Sequence, residues 1–300
     1  MHCLHNPILI CSCALGSKAP TLPAMTANLT SATIAFIGGG NMASALIGGL
    51  IQSGHAPAVI HVVEPFEAQA DKLREQFGVK VEGAASPALA DAALVVWAVK
   101  PQLFKQAAQP CATHVKGALQ LSVMAGIRST AIAEATGSAR VVRTMPNTPA
   151  LIGRGMSGLY ASEAVTSDER AGVERLLAPT GELLWVEREE QLDAVTALSG
   201  SGPAYVFYFI EAMMRAGNEL GLSTDQARRL SVGTFAGAAA LAAQSSEAPT
   251  VLRQNVTSKG GTTHAAITTL DEHGVMDAFV QALHAAARRA KELGDEFGQG

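Results

Sequence analysis

The sequence predicts an α/β fold, a doubly wound and mainly parallel sheet followed by an all-α unit, and three observations carry that prediction. A β-branched and aromatic run, Thr33-Ile34-Ala35-Phe36-Ile37, ends in Gly38-Gly39-Gly40 and passes straight into apolar residues at helical spacing over 41–53. Strand-like and helical patterns then alternate as far as residue 186. After the charged cluster Glu187-Arg188-Glu189-Glu190 no strand pattern returns, and the chain becomes Ala-rich with helical periodicity. The boundaries that follow are a leader over 1–31, a sheet domain over 32–187 and a helical domain over 188–300.

Composition narrows the class. A chain of 300 residues with 48% apolar content can build two domains with sizeable cores, and disorder is excluded. Charged residues make up 16%, against roughly 25% in an average soluble protein, so surface buried between subunits is expected. A formal net charge of −4 and the lack of any Lys or Arg run exclude a basic field for nucleic acid or an anionic membrane. No apolar stretch reaches the roughly 18 residues of a membrane helix. Of the cysteines, Cys3, Cys11 and Cys13 crowd the N-terminus and only Cys111 lies in the body of the chain. Without a disulfide framework or a CxxC pair, a reducing cytoplasm is the expected location. The apolar run over 8–15 is interrupted and no Lys or Arg precedes it, so 1–31 reads as a disordered leader rather than a signal peptide, with Met25 as a candidate initiator.

Taken in order, the elements converge on a ligand crevice. Gly38, Gly40 and Ala43 stand at the G-x-G-x-x-G/A positions, which serve the tight turn, the close approach of backbone to a pyrophosphate and helix-to-strand packing. The motif follows a strand, opens a helix and leads to a second strand, 59–63, ended by Glu64, so it points to a Rossmann-type dinucleotide site. Glu64 stands where an acidic residue commonly meets the adenosine ribose, which favours NAD over NADP; Lys72 or Arg74 on the next helix could offset it, and the cofactor choice stays open between NADH and NADPH. A helix is expected over 66–77, a short strand over 79–81, and a helix start at Ser86-Pro87, with Ser as cap. The unbroken apolar run 93–99 is a strand covered on both faces, and Val99, Lys100 and Pro101 at its end should edge the cofactor. A strand over 119–123 followed by Ala125 and Gly126 repeats the theme. Strand 141–144 runs into Met145-Pro146-Asn147-Thr148-Pro149, where two prolines hold Asn147 in a rigid loop; its amide could face the nicotinamide or the substrate, or Asn147 is an ordinary turn residue. Strands over 156–160 and 183–186 flank a helix over 167–177.

In the helical part, 191–198 is helical, Ser199-Gly200-Ser201-Gly202 breaks the pattern, and Pro203 begins a long helix to about Leu220. Further helices are expected over 225–244, 249–255 and 275–297, too apolar for a lone monomer. Between two of them lies Val256-Thr257-Ser258-Lys259-Gly260-Gly261-Thr262-Thr263. Two glycines let backbone amides approach a ligand, the helix that begins there turns its positive end toward it, and three hydroxyls surround it, with no strong acid, base or metal ligand. A small anion suits such a site, in a reaction whose chemistry a cofactor supplies. The alternative is a Schellman stop followed by an N-capped helix. His264 lies nearby and reads equally well as a helix-surface residue, and no spacing supports a metal site.

Five motifs together, Ile37-Gly38-Gly39-Gly40-Asn41-Met42, Ala98-Val99-Lys100-Pro101-Gln102, Arg143 to Pro149, Leu198 to Tyr205 and Val256 to Thr263, closely resemble pyrroline-5-carboxylate reductase, over a match from about Thr33 to the C-terminus. The resemblance implies reduction of 1-pyrroline-5-carboxylate to L-proline with NADPH or NADH, by hydride transfer to the C=N carbon, in the final step of proline synthesis. It implies that Gly38, Gly39, Gly40, Asn41, Met42, Ala43, Ala98, Val99, Lys100, Pro101, Ala125, Gly126 and Asn255 line the cofactor. Val256, Ser258, Gly260, Gly261, Thr262 and Thr263 would hold the substrate, its carboxylate on the amides of Gly261 and Thr262 and the Ser258 hydroxyl, with Thr263 bonding the ring nitrogen. It also implies a homodimer or a ring of dimers whose substrate pocket is completed between subunits. Glu64 departs from the hydroxyl or basic residue often found there in NADPH-preferring members. Two rivals are a β-hydroxyacid dehydrogenase, which would need a catalytic Lys on a helix where this chain has Lys259 in a loop, and a cofactor-binding sensor without turnover.

Overall fold

A computed structural model describes residues 32–298, and the expected leader lies outside them. Eight strands form one sheet: β1 (Ile34–Ile37), β2 (Ile60–Val63), β3 (Lys80–Glu82), β4 (Leu94–Trp97), β5 (Leu119–Ser122), β6 (Val141–Met145), β7 (Gly155–Ala161) and β8 (Gly181–Trp185). Their order is β3-β2-β1-β4-β5-β6-β7-β8. The first six are parallel, β7 runs antiparallel to β6, and β8 is parallel to β7. The helices α1 (Asn41–Gln52), α2 (Glu67–Phe77), α3 (Phe104–Val115), α4 (Ser129–Thr136) and α5 (Ser167–Leu177) cover both faces.

Alternation along β1 sorts the core. Ile34 and Phe36 join Leu46, Ile47, Leu50 and Leu73 on the side of α1 and α2, while Ala35 and Ile37 join Val95, Trp97, Phe104 and Ile132 on the side of α3 and α4. Trp97 is fully buried, so its ring N–H must find a partner; it donates to Gln120 Oε1 at 2.9 Å, and the Gln120 amide in turn donates to the carbonyls of Val115 and Ala118.

Two local expectations change. Ser86 precedes a 3₁₀ turn, Pro87–Asp91, not an α-helix, and its hydroxyl donates to Glu82 Oε2 at 2.6 Å instead of capping. The segment Ser199-Gly200-Ser201-Gly202 does not interrupt the chain's helical path. After α6 (Gln191–Val195) the path widens into a π turn, Thr196–Gly200, and continues into α7 (Gly202–Glu219). Met145 packs closely on this turn: a Cβ at Gly200 would lie 2.7 Å from Met145 Cε, which would have to move aside.

The helical part continues with α8 (Thr224–Gln244), α9 (Pro249–Asn255), α10 (Thr262–Glu272) and α11 (Val275–Gly298). From α7 onward, the buried apolar side chains among the described residues are Ala227 and Ala290, whereas Phe207 is 57% exposed, Tyr208 69%, Leu220 84% and Met276 60%. One chain therefore leaves these helices without a core. Among the described residues, no helix is long and apolar enough to cross a membrane.

Candidate active site

The strand order reverses between β1 and β4, and the segments expected to hold the cofactor meet there. Gly38 continues β1 with φ +95° and donates its N–H to Val63 O at 2.9 Å. A Cβ at Gly38 would lie 2.7 Å from the Ala98 carbonyl oxygen, so the glycine lets the turn lie against the end of β4. Gly40 precedes α1 without a side-chain cap, and a Cβ there would meet nothing within 4 Å. The first amides of α1, from Asn41 and Met42, thus begin at an open cradle, while Ala43 is buried against the sheet. Ala98, Val99, Lys100 and Pro101 follow β4, Lys100 being exposed. Ala125 and Gly126 follow the adjacent β5, Gly126 with φ +77°.

Three residues assigned to the cofactor in sequence are used differently. Glu64 ends β2 but is only 6% exposed; its Oε2 accepts the Gly39 N–H at 2.8 Å and its Oε1 the Phe66 N–H at 2.9 Å. Asn147 is buried, and both ends of its amide are engaged within the chain: Nδ2 donates to Ser199 O at 3.1 Å and Oδ1 accepts the Met156 N–H at 3.0 Å. It braces the loop after β6 against the π turn and β7, which is a correction to its expected role toward the nicotinamide. Asn255 ends α9, exposed, and donates to Glu247 Oε2 at 3.2 Å within the helical part.

The loop over 256–261 carries the expected substrate residues. Helix α9 closes at Val256 with φ −103°, so no left-handed Schellman residue ends it. Gly260 takes φ +75°, the Gly261 N–H donates to Ser258 O at 3.0 Å, and α10 begins at Thr262 with no side-chain cap. Here the structure corrects the anion cradle: the Gly261 amide is already bonded, and the first helical bond runs from Ala265 N to Gly261 O. The amides of Thr262, Thr263 and His264 are the ones the helix leaves free. Thr263 is half-buried, and Val256, Ser258, Lys259, Gly260, Thr262 and His264 are exposed on the single chain.

Sequence reasoning missed a buried ionic junction between the two parts. Glu189, read as a member of a boundary cluster, takes Arg143 Nη1 of β6 at 2.8 Å and both the N–H and hydroxyl of Ser129, the first residue of α4, at 2.6 and 2.8 Å. Beside it Arg128 Nη2 meets Asp193 Oδ2 at 2.8 Å. Burial holds the Arg143 guanidinium below its ordinary value, an effect Glu189 opposes. The backbone of Leu293 and Gly294 on α11 closes over the loop after β5, where a Cβ at Gly126 would lie 3.1 Å from Leu293 C. Contacts spanning 46 and 60 residues leave no periodic signal. Glu189→Ala is expected to lower unfolding free energy by about 3 kcal/mol, because it leaves Arg143 charged and buried. Denaturant melts of the two proteins check this, and unchanged midpoints would refute it.

Comparison with known proteins agrees with the geometry. Residues 189–293 match the family described as pyrroline-5-carboxylate reductase dimerisation, and residues 33–126 the family described as NADP oxidoreductase, coenzyme F420-dependent. The chain is 44% identical over 273 residues to the pyrroline-5-carboxylate reductase of Pseudomonas aeruginosa, covering 90% of this chain and all of that one. It is 35% identical to that of Arabidopsis thaliana, covering 87% and 95% of the two chains. Among solved structures, the pyrroline-5-carboxylate reductase of Coxiella burnetii superposes with a TM-score of 0.81 at 38% identity, covering 88% of this chain and 98% of that one. The Plasmodium falciparum pyrroline carboxylate reductase with NADP bound superposes with a TM-score of 0.79 at 26% identity, with coverage of 88% and 98%. With the glycine turn at the switch point of the sheet, the hydroxyl-lined start of α10 and relatives matched from end to end, this chain belongs to the pyrroline-5-carboxylate reductase family.

Proposed function

We propose that this chain reduces 1-pyrroline-5-carboxylate to L-proline with NADPH or NADH, the final step of proline synthesis. The observation that carries the reading is the start of α10: free amides beside the hydroxyl-bearing residues Ser258, Thr262 and Thr263, with no strong acid or base, in a chain whose other half opens on a dinucleotide cradle. Gly38, Gly39, Gly40, Asn41, Met42 and Ala43 fit the pyrophosphate, because the cradle at Gly40 is open where a Cβ would otherwise project. Ala98, Val99, Lys100, Pro101, Ala125 and Gly126 edge the same crevice. When bound, the dihydronicotinamide supplies the hydride that the C=N carbon accepts.

The tasks left to the chain are holding, orienting and enclosing. The substrate carboxylate suits the Thr262 and Thr263 amides with the Ser258 hydroxyl, where the helix N-terminus adds its partial positive charge. Gly260 and Gly261 keep the loop free of side chains that would bar the approach, and Val256 borders the ring. The Thr263 hydroxyl meets the ring nitrogen. Since an alcohol is too weak an acid to protonate an imine in the reaction step, the imine enters already protonated or takes its proton through water.

The pocket is incomplete on one chain. Ser258 to Thr263 lie open on the surface and the apolar faces of α7 and α8 lack cover, which supports a homodimer, alone or within a ring of dimers, in which a second copy closes each site. A cytoplasmic location accords with Cys111, the free cysteine among the described residues, which is buried. The test is oxidation of NADPH and of NADH by the purified protein, with and without pyrroline-5-carboxylate. Substrate-dependent oxidation is the expected result; none, from a folded protein that binds the dinucleotide, would defeat the reading.

A further inference from the structure

An acidic residue at the end of the second strand ordinarily faces the adenosine ribose and chooses between the two nicotinamide dinucleotides. In this chain the carboxylate is bonded to the glycine turn itself. Its two oxygens take the backbone amides of Gly39 and Phe66, at 2.8 and 2.9 Å, and Glu64 is nearly out of contact with solvent. At the next peptide unit, Gln69 Nε2 on α2 donates to the Gly39 carbonyl at 2.6 Å. The middle glycine of the turn is therefore held by side chains on both its polar groups. The hold leaves no room for a side chain, since a Cβ at Gly39 would lie 2.5 Å from Leu73 Cδ1 and 3.2 Å from Glu64 Oε2. The charge sits beside the N-terminal ends of both α1 and α2, where Gly40 and Phe66 are the capping residues. Two amide donors and two helix ends offset it from inside the protein.

We infer that Glu64, with Gln69, is a positioning residue that fixes the shape of the phosphate-binding turn, serving NADH and NADPH alike and not selecting between them. Their shared pyrophosphate meets the turn that Glu64 holds, whereas each oxygen of the carboxylate is already committed to a backbone amide and its charge is offset by those donors and by two helix ends. The inference rests on the dinucleotide reading of the crevice. It also separates two effects that a strand-end acid normally combines, affinity and preference.

The experiment is isothermal titration of the full-length oligomer with NADH and with NADPH, together with the melting temperature without dinucleotide. Glu64→Gln sets an NH2 group against one of two amide donors and is expected to raise both Kd values about tenfold, with their ratio kept within about twofold. Gln69→Leu releases the carbonyl side and is expected to raise both about threefold, again at constant ratio. A ratio moved toward NADPH by about tenfold or more in Glu64→Gln would overturn the inference, because the carboxylate would then be reading the ribose. A lowered melting temperature with both affinities intact would overturn it too, leaving a role in folding alone. If Glu64→Gln fails to fold, the two Kd values of Gln69→Leu decide by the same criteria. A wild-type protein that binds neither dinucleotide overturns this inference together with the reading beneath it.

Discussion

Thr263→Ala is expected to lower kcat by about a hundredfold, the order seen when one donor to a reacting centre is removed, with the Kd of either dinucleotide changed less than about twofold. The substitution deletes one hydroxyl and little else. Thr263 is the second residue of α10, so its backbone amide stays at the helix start for the substrate carboxylate. Alanine is a better helix former than threonine, so α10 itself is not weakened. What is lost is the one partner proposed for the ring nitrogen, whose charge and geometry change as hydride reaches the neighbouring carbon. Thr263→Ser keeps that hydroxyl and should retain most of the turnover. Steady-state kinetics with both dinucleotides, beside direct binding measurements, test this; unaltered turnover in Thr263→Ala would remove Thr263 from the mechanism.

Alanine at Gly38 and at Gly40 should produce different failures although both lie in the same turn. At Gly38 the backbone has φ +95°, and a Cβ would lie 2.7 Å from the oxygen and 2.9 Å from the carbon of the Ala98 carbonyl. Neither atom can move without parting β1 from β4, so Gly38→Ala should lower both the melting temperature and dinucleotide affinity, the latter by more than about a hundredfold. At Gly40 the backbone has φ −68° and a Cβ would meet nothing within 4 Å. Gly40→Ala should therefore fold with a melting temperature within a few degrees of wild type. It should still lose roughly a hundredfold in affinity, because its methyl group occupies the space where backbone approaches the pyrophosphate. Thermal melts and binding isotherms on the two variants separate the cases. Gly40→Ala with wild-type affinity would mean that the pyrophosphate does not lie on this turn.

Where the sequence is legible, one kind of signal is responsible: short-range periodicity with its punctuation. The apolar run 93–99 gives β4, Gly38-Gly39-Gly40 gives the turn, and Pro249 and Pro203 mark helix starts, each because the controlling contacts lie within a few residues. Helix α3 is less legible, since Pro110 sits inside it. The failures have long-range causes. Gly200 reads as a breaker, but the helical path persists by widening, with Met145 from β6 packed beside it. Asn147 and Glu64 read as ligand contacts because their positions in the fold are right. Only the folded chain shows that Met156, Ser199, Gly39 and Phe66 have engaged their side chains. Glu189 reads as surface charge, and its partners lie in two other elements.

The near absence of buried side chains in α7 to α11 makes association part of folding for this chain. A helical unit whose buried apolar side chains, among the described residues, are Ala227 and Ala290 gains little by forming alone, so most of its apolar burial must come from a neighbour. Its stability is then governed by mass action: the midpoint of unfolding rises with protein concentration, and dilution favours the unfolded chain. Because the residues proposed to hold substrate lie in that same unit, the cell's supply of active sites depends on the abundance of the chain more steeply than in simple proportion.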